Sequence, residues 1–220
     1  MKRVVVPGYP HHIVQRGVRS LDIFYTEQDR VEYLSLLRRQ GDRFGVTFLT
    51  YCLMTNHVHL LAIPKQADSL ARAIGEAHRL YTRMINFREG TRGYLFQGRF
   101  SSCPVSTDSY LLTAVQYILR NPVKAKIVTS PWEYKWSSAR YHCGLESHDL
   151  LVQDDDFLSG VVDWQELLCT DSEMSVLLEE KNRTGRPFGA DEFYAIVEKL
   201  TGRDTRPGRP GRPMQQGKKR

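Results

Sequence analysis

The sequence of 220 residues predicts an α+β fold. Two apolar runs, residues 46–54 and 57–63, read as short strands joined by a turn at Thr55 and Asn56. Longer segments before and after this pair carry apolar residues at the three-to-four-residue spacing of a helix. A chain of this length holds one domain of ordinary size, or one domain with a small appendage.

The first elements follow from local signals. A strand-like segment over residues 4–16 is interrupted by prolines and resumes at 11–16. The adjacent His11 and His12 point to opposite faces of such a strand, so they cannot hold one metal together, and we interpret them as ordinary strand residues. Thr26 is a typical N-cap for a helix over 27–44, which Gly45 ends.

The later elements are two more helices and a strand. Residues 68–87 predict a helix whose arginines lie off the apolar face, where they are either solvated or in contact with phosphates. Residues 93–105 predict a loop and a strand in which aromatic residues alternate with polar ones. Residues 107–121 predict a helix that ends at Pro122. Shorter helical segments are predicted around 162–168, 174–179 and 190–200.

Charge is distributed in blocks. Residues 1–145 carry 20 basic and 10 acidic side chains, residues 146–180 carry 11 acidic and no basic ones, and residues 181–220 carry 11 basic and 4 acidic ones. The basic blocks favour a polyanionic partner, although a basic surface also serves solubility alone. The terminal R-P-G repeat lacks apolar residues and is expected to be disordered.

Several classes of protein are disfavoured. No apolar stretch is long enough to span a membrane, and the N-terminal apolar run is too short for a secretory signal. The four cysteines are widely spaced without a C-x-x-C pair, which is typical of reduced thiols. We therefore expect a cytoplasmic protein.

Two histidines one residue apart, His57 and His59, carry the first chemical signal. On a strand they project from the same face, so two neutral imidazoles can bind one divalent metal if a third ligand comes from elsewhere. The alternative is that they are simply polar residues on a half-buried strand. Tyr117 and Asn121 lie one helical turn apart, which would place a nucleophile and a ligand together, but Tyr110 is an equally available phenol.

Several motifs in order resemble the single-tyrosine HUH transposases, specifically the REP-associated branch. The matching stretches are 10–17 (PHHIVQRG), 54–61 (MTNHVHLL), 95–100 (LFQGRF), 117–125 (YILRNPVKA) and 136–138 (WSS). The resemblance implies a ferredoxin-like antiparallel sheet with helices on one face. The residues that follow predict a C-terminal helical extension and a disordered basic tail. The corresponding domains are 1–145 for the HUH transposase, 146–202 for the extension and 203–220 for the tail.

The resemblance also implies a site and a reaction. Mg²⁺ or Mn²⁺ would be bound by His57 and His59, with Asn121 as third ligand and Tyr117 as nucleophile. The reaction would cleave single-stranded DNA near a hairpin, leaving a 5′-phosphotyrosine and a free 3′-hydroxyl that can reverse the step. The partner would be single-stranded or hairpin DNA. The residues expected to contact DNA are Arg16, Arg72, Arg79, Arg83, Arg99 and Lys124.

Three questions remain open at this stage. The chain could be a hairpin-binding or regulatory protein without catalysis, or a protein that processes RNA hairpins. A homodimer that exchanges helices would place Tyr117 in trans, whereas a monomer would use it in cis. The acidic segment 146–180 resembles nothing that assigns it a role.

Overall fold

A four-stranded antiparallel sheet forms the centre of the computed structural model, which describes residues 3–107, 109–153, 156–170 and 172–206. The strand order is β2-β3-β1-β4, and every neighbouring pair is antiparallel. The strands are β1 (His11–Arg16), β2 (Val46–Leu53), β3 (His57–Pro64) and β4 (Ser101–Pro104).

Helices connect and follow the strands. With β1-α1-β2-β3-α2-β4 as its chain order, the first part of the molecule has the ferredoxin-like arrangement, so the predicted α+β class is confirmed. The helices are α1 (Glu27–Phe44), α2 (Ser69–Arg88), α3 (Ser109–Leu119), α4 (Asn121–Lys124), α5 (Ala139–His142), α6 (Trp164–Cys169), α7 (Ser175–Thr184) and α8 (Asp191–Thr201).

The two ends of α1 are fixed by local interactions, which is why the sequence predicts where this helix begins and ends. The Thr26 hydroxyl accepts a hydrogen bond from the backbone N–H of Asp29, and the Asp29 carboxylate accepts one from the Thr26 N–H. At the other end Gly45 adopts a left-handed conformation with φ of 67°, which a residue with a side chain rarely adopts.

One face of the sheet packs against α1 and α2. The strand residues on this face include Ile13, Val58 and Leu60, all fully buried. They contact Tyr33 on α1 and Tyr81 on α2, which also belong to this cluster. Since side chains alternate along β3, burial of Val58 here sends His57 and His59 to the opposite face.

The opposite face is also covered, which corrects the expectation of helices on one face only. Leu61 on β3 and Cys103 on β4 pack against Val115 and Ile118 of α3, and all four are fully buried. This face therefore presents its own apolar surface, and burying that surface requires a second layer of helices.

The extension packs into this second layer. Leu168 of α6, Leu178 of α7 and Phe188 belong to the same buried cluster as α3. The main chain at Phe188 pairs with the end of β4, because its N–H donates to the carbonyl of Pro104 at 2.8 Å and its carbonyl accepts from Ser106 at 2.9 Å. The proposed tail begins at 203, and its residues 207–220 lie outside the described part of the chain.

Across the described residues, no helix is both long and apolar enough to cross a membrane.

Candidate active site

The two histidines of β3 stand side by side, as the strand periodicity predicts. Their ring centroids are 5.0 Å apart, with an interplanar angle of 79°. In the sheet, His57 lies opposite Arg16 of β1, and His59 lies opposite Val14 of β1 and Cys52 of β2. Both imidazoles therefore stand on β3, a central strand that pairs with β2 and β1.

One nitrogen of each imidazole is engaged and the other is free. His57 Nδ1 donates to the side-chain oxygen of Asn56 at 2.7 Å, and His59 Nδ1 lies 3.0 Å from Nε2 of His12. Neither Nε2 atom has a hydrogen-bond partner among the described residues. Both Nε2 atoms are thus open to a ligand on the same face.

Burial keeps both imidazoles neutral. It lowers the pKa of His57 to about 4, with the nearby Arg16 charge as a second cause. The pKa of His59 is held well below its usual value by burial first, and then by His12, His57 and Arg16. Neutral rings with directed lone pairs are the form in which histidine binds a metal.

His12 is a residue of the site that sequence reasoning missed. It is 1% exposed, and its ring stacks on His59 with centroids 5.3 Å apart and an interplanar angle of 10°. A group that bonds the far nitrogen of a metal-binding histidine fixes the orientation of the ring. The alternation along β1 correctly separated His12 from His11, but only the register between β1 and β3 shows that His12 meets His59.

Tyr117 lies directly beside this pair. Its ring centroid is 5.5 Å from that of His59 and 5.6 Å from that of His12. The apolar stripe of α3 packs on the sheet and leaves Tyr117, 7% exposed, at the edge of the buried layer. Tyr110 packs edge-on against Phe188, with centroids 4.9 Å apart. Of the two phenols left open by the sequence, Tyr117 is the one in contact with the histidines.

A carboxylate from the extension meets the Tyr117 hydroxyl. Tyr117 Oη donates to Oε1 of Glu179 on α7 at 3.0 Å. Burial raises the pKa of Tyr117 well above its usual value, and the Glu179 charge and hydrogen bond raise it further. No sequence signal identified Glu179, because it lies in the acidic segment 62 residues further along the chain.

Asn121 offers an amide oxygen rather than a carboxylate. Its Nδ2 donates to the carbonyl of Tyr117 at 2.7 Å and more weakly to that of Ile118 at 3.4 Å. Its side-chain oxygen has no hydrogen-bond partner in the described part of the chain. Those residues contain no group of three or more His, Cys, Asp or Glu side chains placed to bind a metal. A third protein ligand would therefore have to be of another type, such as this amide.

Two of the predicted DNA contacts lie at the histidines and tyrosine. Arg16 is close enough for its charge to lower the pKa of His57 and to oppose the rise in the pKa of Tyr117. Lys124 Nζ is 5.0 Å from the Tyr117 ring centroid. These two cations supply positive charge on the same face as the imidazoles.

Arg99 lies near α7, in a separate basic cavity of about 440 Å³. Arg3 and Arg183 also line this cavity, and the buried Ser102 hydroxyl has no hydrogen-bond partner among the described residues. No carboxylate is among the lining residues. The cavity has the charge expected of an anion-binding surface.

The arginines of α2 lie away from the histidines and Tyr117, although Arg79 lines a second cavity together with Arg3 and Arg99. Arg72 pairs with Asp68 at 3.5 Å, Arg79 pairs with Glu76 at 2.7 Å, and Arg83 is exposed. Because α2 packs on the face of Val58 and Leu60, these residues are not brought together with the histidines and Tyr117.

The fold and the site define a class: a ferredoxin-like α+β domain with a His-x-His pair on a central strand and a helical tyrosine beside it. The chain belongs to the family described as IS200-like transposases, whose model matches residues 6–121. A solved structure titled as a REP-associated tyrosine transposase bound to a REP hairpin is similar in fold. Its TM-score is 0.56 at 14% sequence identity, and the match covers 70% of this chain and 91% of that one. A comparison with curated proteins gave no match. The resemblance inferred from the motifs is therefore confirmed in family and in fold.

The contact between Tyr117 and Glu179 gives a first prediction. Replacing Glu179 with Gln should lower the pKa of the phenol at position 117, because a neutral acceptor no longer opposes the phenolate charge. The measurement is ¹⁹F NMR titration of a fluorinated tyrosine placed at 117, which ionises in an accessible pH range. Glu180→Gln, an exposed neighbour on the same helix, should leave the pKa unchanged. An equal pKa in wild type and Glu179→Gln would contradict the contact.

Proposed function

We propose that the protein cleaves and rejoins single-stranded DNA beside a hairpin, with Tyr117 as nucleophile and a divalent metal held by His57 and His59. The observation that carries this proposal is the contact of the Tyr117 ring with His59, with centroids 5.5 Å apart, within one chain. Membership of a transposase family supports it, as does the fold shared with a transposase bound to a REP hairpin.

The amide oxygen of Asn121 is of the type that suits Mg²⁺ or Mn²⁺, and the imidazoles of His57 and His59 would complete the protein ligands. The Nε2 atoms of His57 and His59 and the side-chain oxygen of Asn121 have no hydrogen-bond partner among the described residues, and they would hold the metal together with water and a phosphate oxygen. When bound, the metal would polarise a phosphodiester oxygen and offset its negative charge. His12 would hold the His59 ring in place from the far side.

The reaction is an exchange of one phosphodiester bond for another. Tyr117 Oη attacks the phosphorus, a bond forms between them, and the bond from phosphorus to the 3′-oxygen breaks. The products are a 5′-phosphotyrosine and a strand with a 3′-hydroxyl. Attack of a 3′-hydroxyl on the phosphotyrosine reverses the step and joins two ends.

Positive charge around the site would hold the strand. Arg16 and Lys124 lie at the tyrosine, and Arg99 lies with Arg3 and Arg183 in the basic cavity. Contacts of this kind bind phosphates and contribute affinity that falls with salt. The predicted contacts at Arg72, Arg79 and Arg83 require DNA to reach the other face of the sheet.

Loss of the nucleophile gives the central prediction. Tyr117→Phe should abolish the covalent protein–DNA product, because phenylalanine has no oxygen to attack phosphorus. His57→Ala should lower its yield at least about 10²-fold, through loss of metal-assisted charge stabilisation. The measurement is a denaturing gel of protein with labelled hairpin DNA and Mn²⁺.

Two controls accompany this experiment. Tyr110→Phe should still form the covalent product. A product that persists in Tyr117→Phe but is lost in Tyr110→Phe would show that Tyr110 is the nucleophile. A mixture of Tyr117→Phe and His57→Ala should stay inactive, because one chain supplies both groups. Restored cleavage in the mixture would instead indicate a homodimer that works in trans.

Support of His59 by His12 predicts a change in metal affinity. His12→Ala should weaken Mn²⁺ binding by about 10- to 100-fold, because the His59 ring loses the group that orients it. The measurement is titration calorimetry with Mn²⁺, with thermal unfolding as a check that the variant is folded. His148→Ala removes an exposed histidine and should bind Mn²⁺ like the wild type. Unchanged affinity in a folded His12→Ala variant would exclude the supporting role.

The positive charges predict a salt effect. Arg16→Ala and Arg99→Ala should each weaken hairpin binding and reduce the slope of log affinity against log salt by about one. Arg39→Ala, an exposed arginine on α1, should leave the slope unchanged. Arg83→Ala tests whether DNA reaches the face covered by α2. A slope that does not differ between Arg16→Ala and Arg39→Ala would remove Arg16 from the interface.

A further inference from the structure

Helix α7 of the extension contributes to the candidate active site, although it lies outside the residues that the family model matches. We propose that Glu179 is a catalytic residue that accepts the phenolic proton of Tyr117 as its oxygen attacks phosphorus. This inference rests on the proposed cleavage function and adds a proton acceptor to it.

The Glu179 carboxylate already accepts a hydrogen bond from the hydroxyl whose proton it would take. Tyr117 Oη donates to Glu179 Oε1 at 3.0 Å, which is within the distance required of a general base. An ionised carboxylate only accepts hydrogen bonds, so the phenolic hydrogen lies on the line between the two oxygens. Glu179 is exposed, and it can therefore return the proton to water after the step.

The position of Glu179 is fixed by its helix. Asn182, one turn further along α7 and 6% exposed, accepts from the Ser101 hydroxyl at 2.6 Å and donates to the carbonyl of His12 at 3.0 Å. Leu178, the residue before Glu179, is fully buried against the α3 layer. These contacts attach α7 to β4, β1 and α3 at once, so the carboxylate is held where the hydroxyl lies.

The histidines do not compete for this proton. His59 and His12 bond to each other through one nitrogen each, and burial lowers the pKa of both. No other carboxylate within the described ranges bonds to the Tyr117 hydroxyl.

The proton transfer balances the reaction. As the bond from Oη to phosphorus forms, the hydroxyl becomes more acidic, and its proton passes to Glu179 Oε1. The electron pair of the broken bond goes to the 3′-oxygen, which takes a proton from water. In the reverse step the 3′-hydroxyl gives its proton to water as its oxygen attacks phosphorus, and Glu179 takes a proton from water and passes it to Oη as the phosphotyrosine bond breaks.

Nearby positive charges offset the repulsion between the Glu179 carboxylate and a DNA phosphate. Arg16 and Lys124 are the cations that face the Tyr117 ring, together with the neutral His12 and His59. Repulsion of the incoming phosphate is thereby offset.

The test compares Glu179→Gln with Glu180→Gln in the full-length protein. The rate of covalent product formation is measured in a single turnover on hairpin DNA with Mn²⁺, as a function of pH. Glu179→Gln should be about 10²-fold slower near neutral pH with unchanged DNA binding, because glutamine accepts the hydrogen bond but not the proton. The deficit should narrow as the pH rises and solvent removes the proton, and Glu179→Asp should restore part of the rate.

The outcomes separate this inference from the function on which it rests. If wild type forms a covalent product and Glu179→Gln forms it equally fast or faster, Glu179 is not the acceptor. A deficit that is the same at every pH would indicate a structural role and would also overturn the inference. If wild type itself forms no covalent product under any metal, the proposed function and the inference both fall.

Discussion

The packing of α3 on the second face of the sheet is the constraint on which the candidate site depends. The strand fixes His57 and His59 to that face because Val58 between them is buried on the other. Helix α3 buries Val115 and Ile118 on the same face, and this contact carries Tyr117 to the imidazoles. Apolar burial therefore sets the distance between a phenol and an imidazole pair that lie far apart in sequence.

The extension is a structural part of this layer rather than an appendage to it. Leu168, Leu178 and Phe188 fill the same cluster as α3, and the main chain at Phe188 continues the edge of β4. The polar residues of α7 are directed at the site by this packing. A segment that is acidic overall thus places one carboxylate beside a tyrosine in an otherwise basic region.

Periodicity and capping signals predicted most of the fold. They located α1 between Thr26 and Gly45, the β2–β3 pair and the shared face of His57 and His59, because each depends on neighbours in the chain. They did not predict helices on both faces, since apolar alternation does not say what covers a buried face. These signals also did not predict the contacts of His12 and Glu179, because each contact depends on strand register or helix packing between distant segments.

His57, His59 and Tyr117 precede Glu179 in the chain, so they are synthesised before it. A ribosome releases the imidazole pair and the phenol long before it releases α7, which ends at Thr184. The nascent protein would thus contain the imidazole pair and Tyr117 without the carboxylate that we propose for proton transfer. On this account, the proposed cleavage would reach its full rate only after α7 has folded onto the sheet.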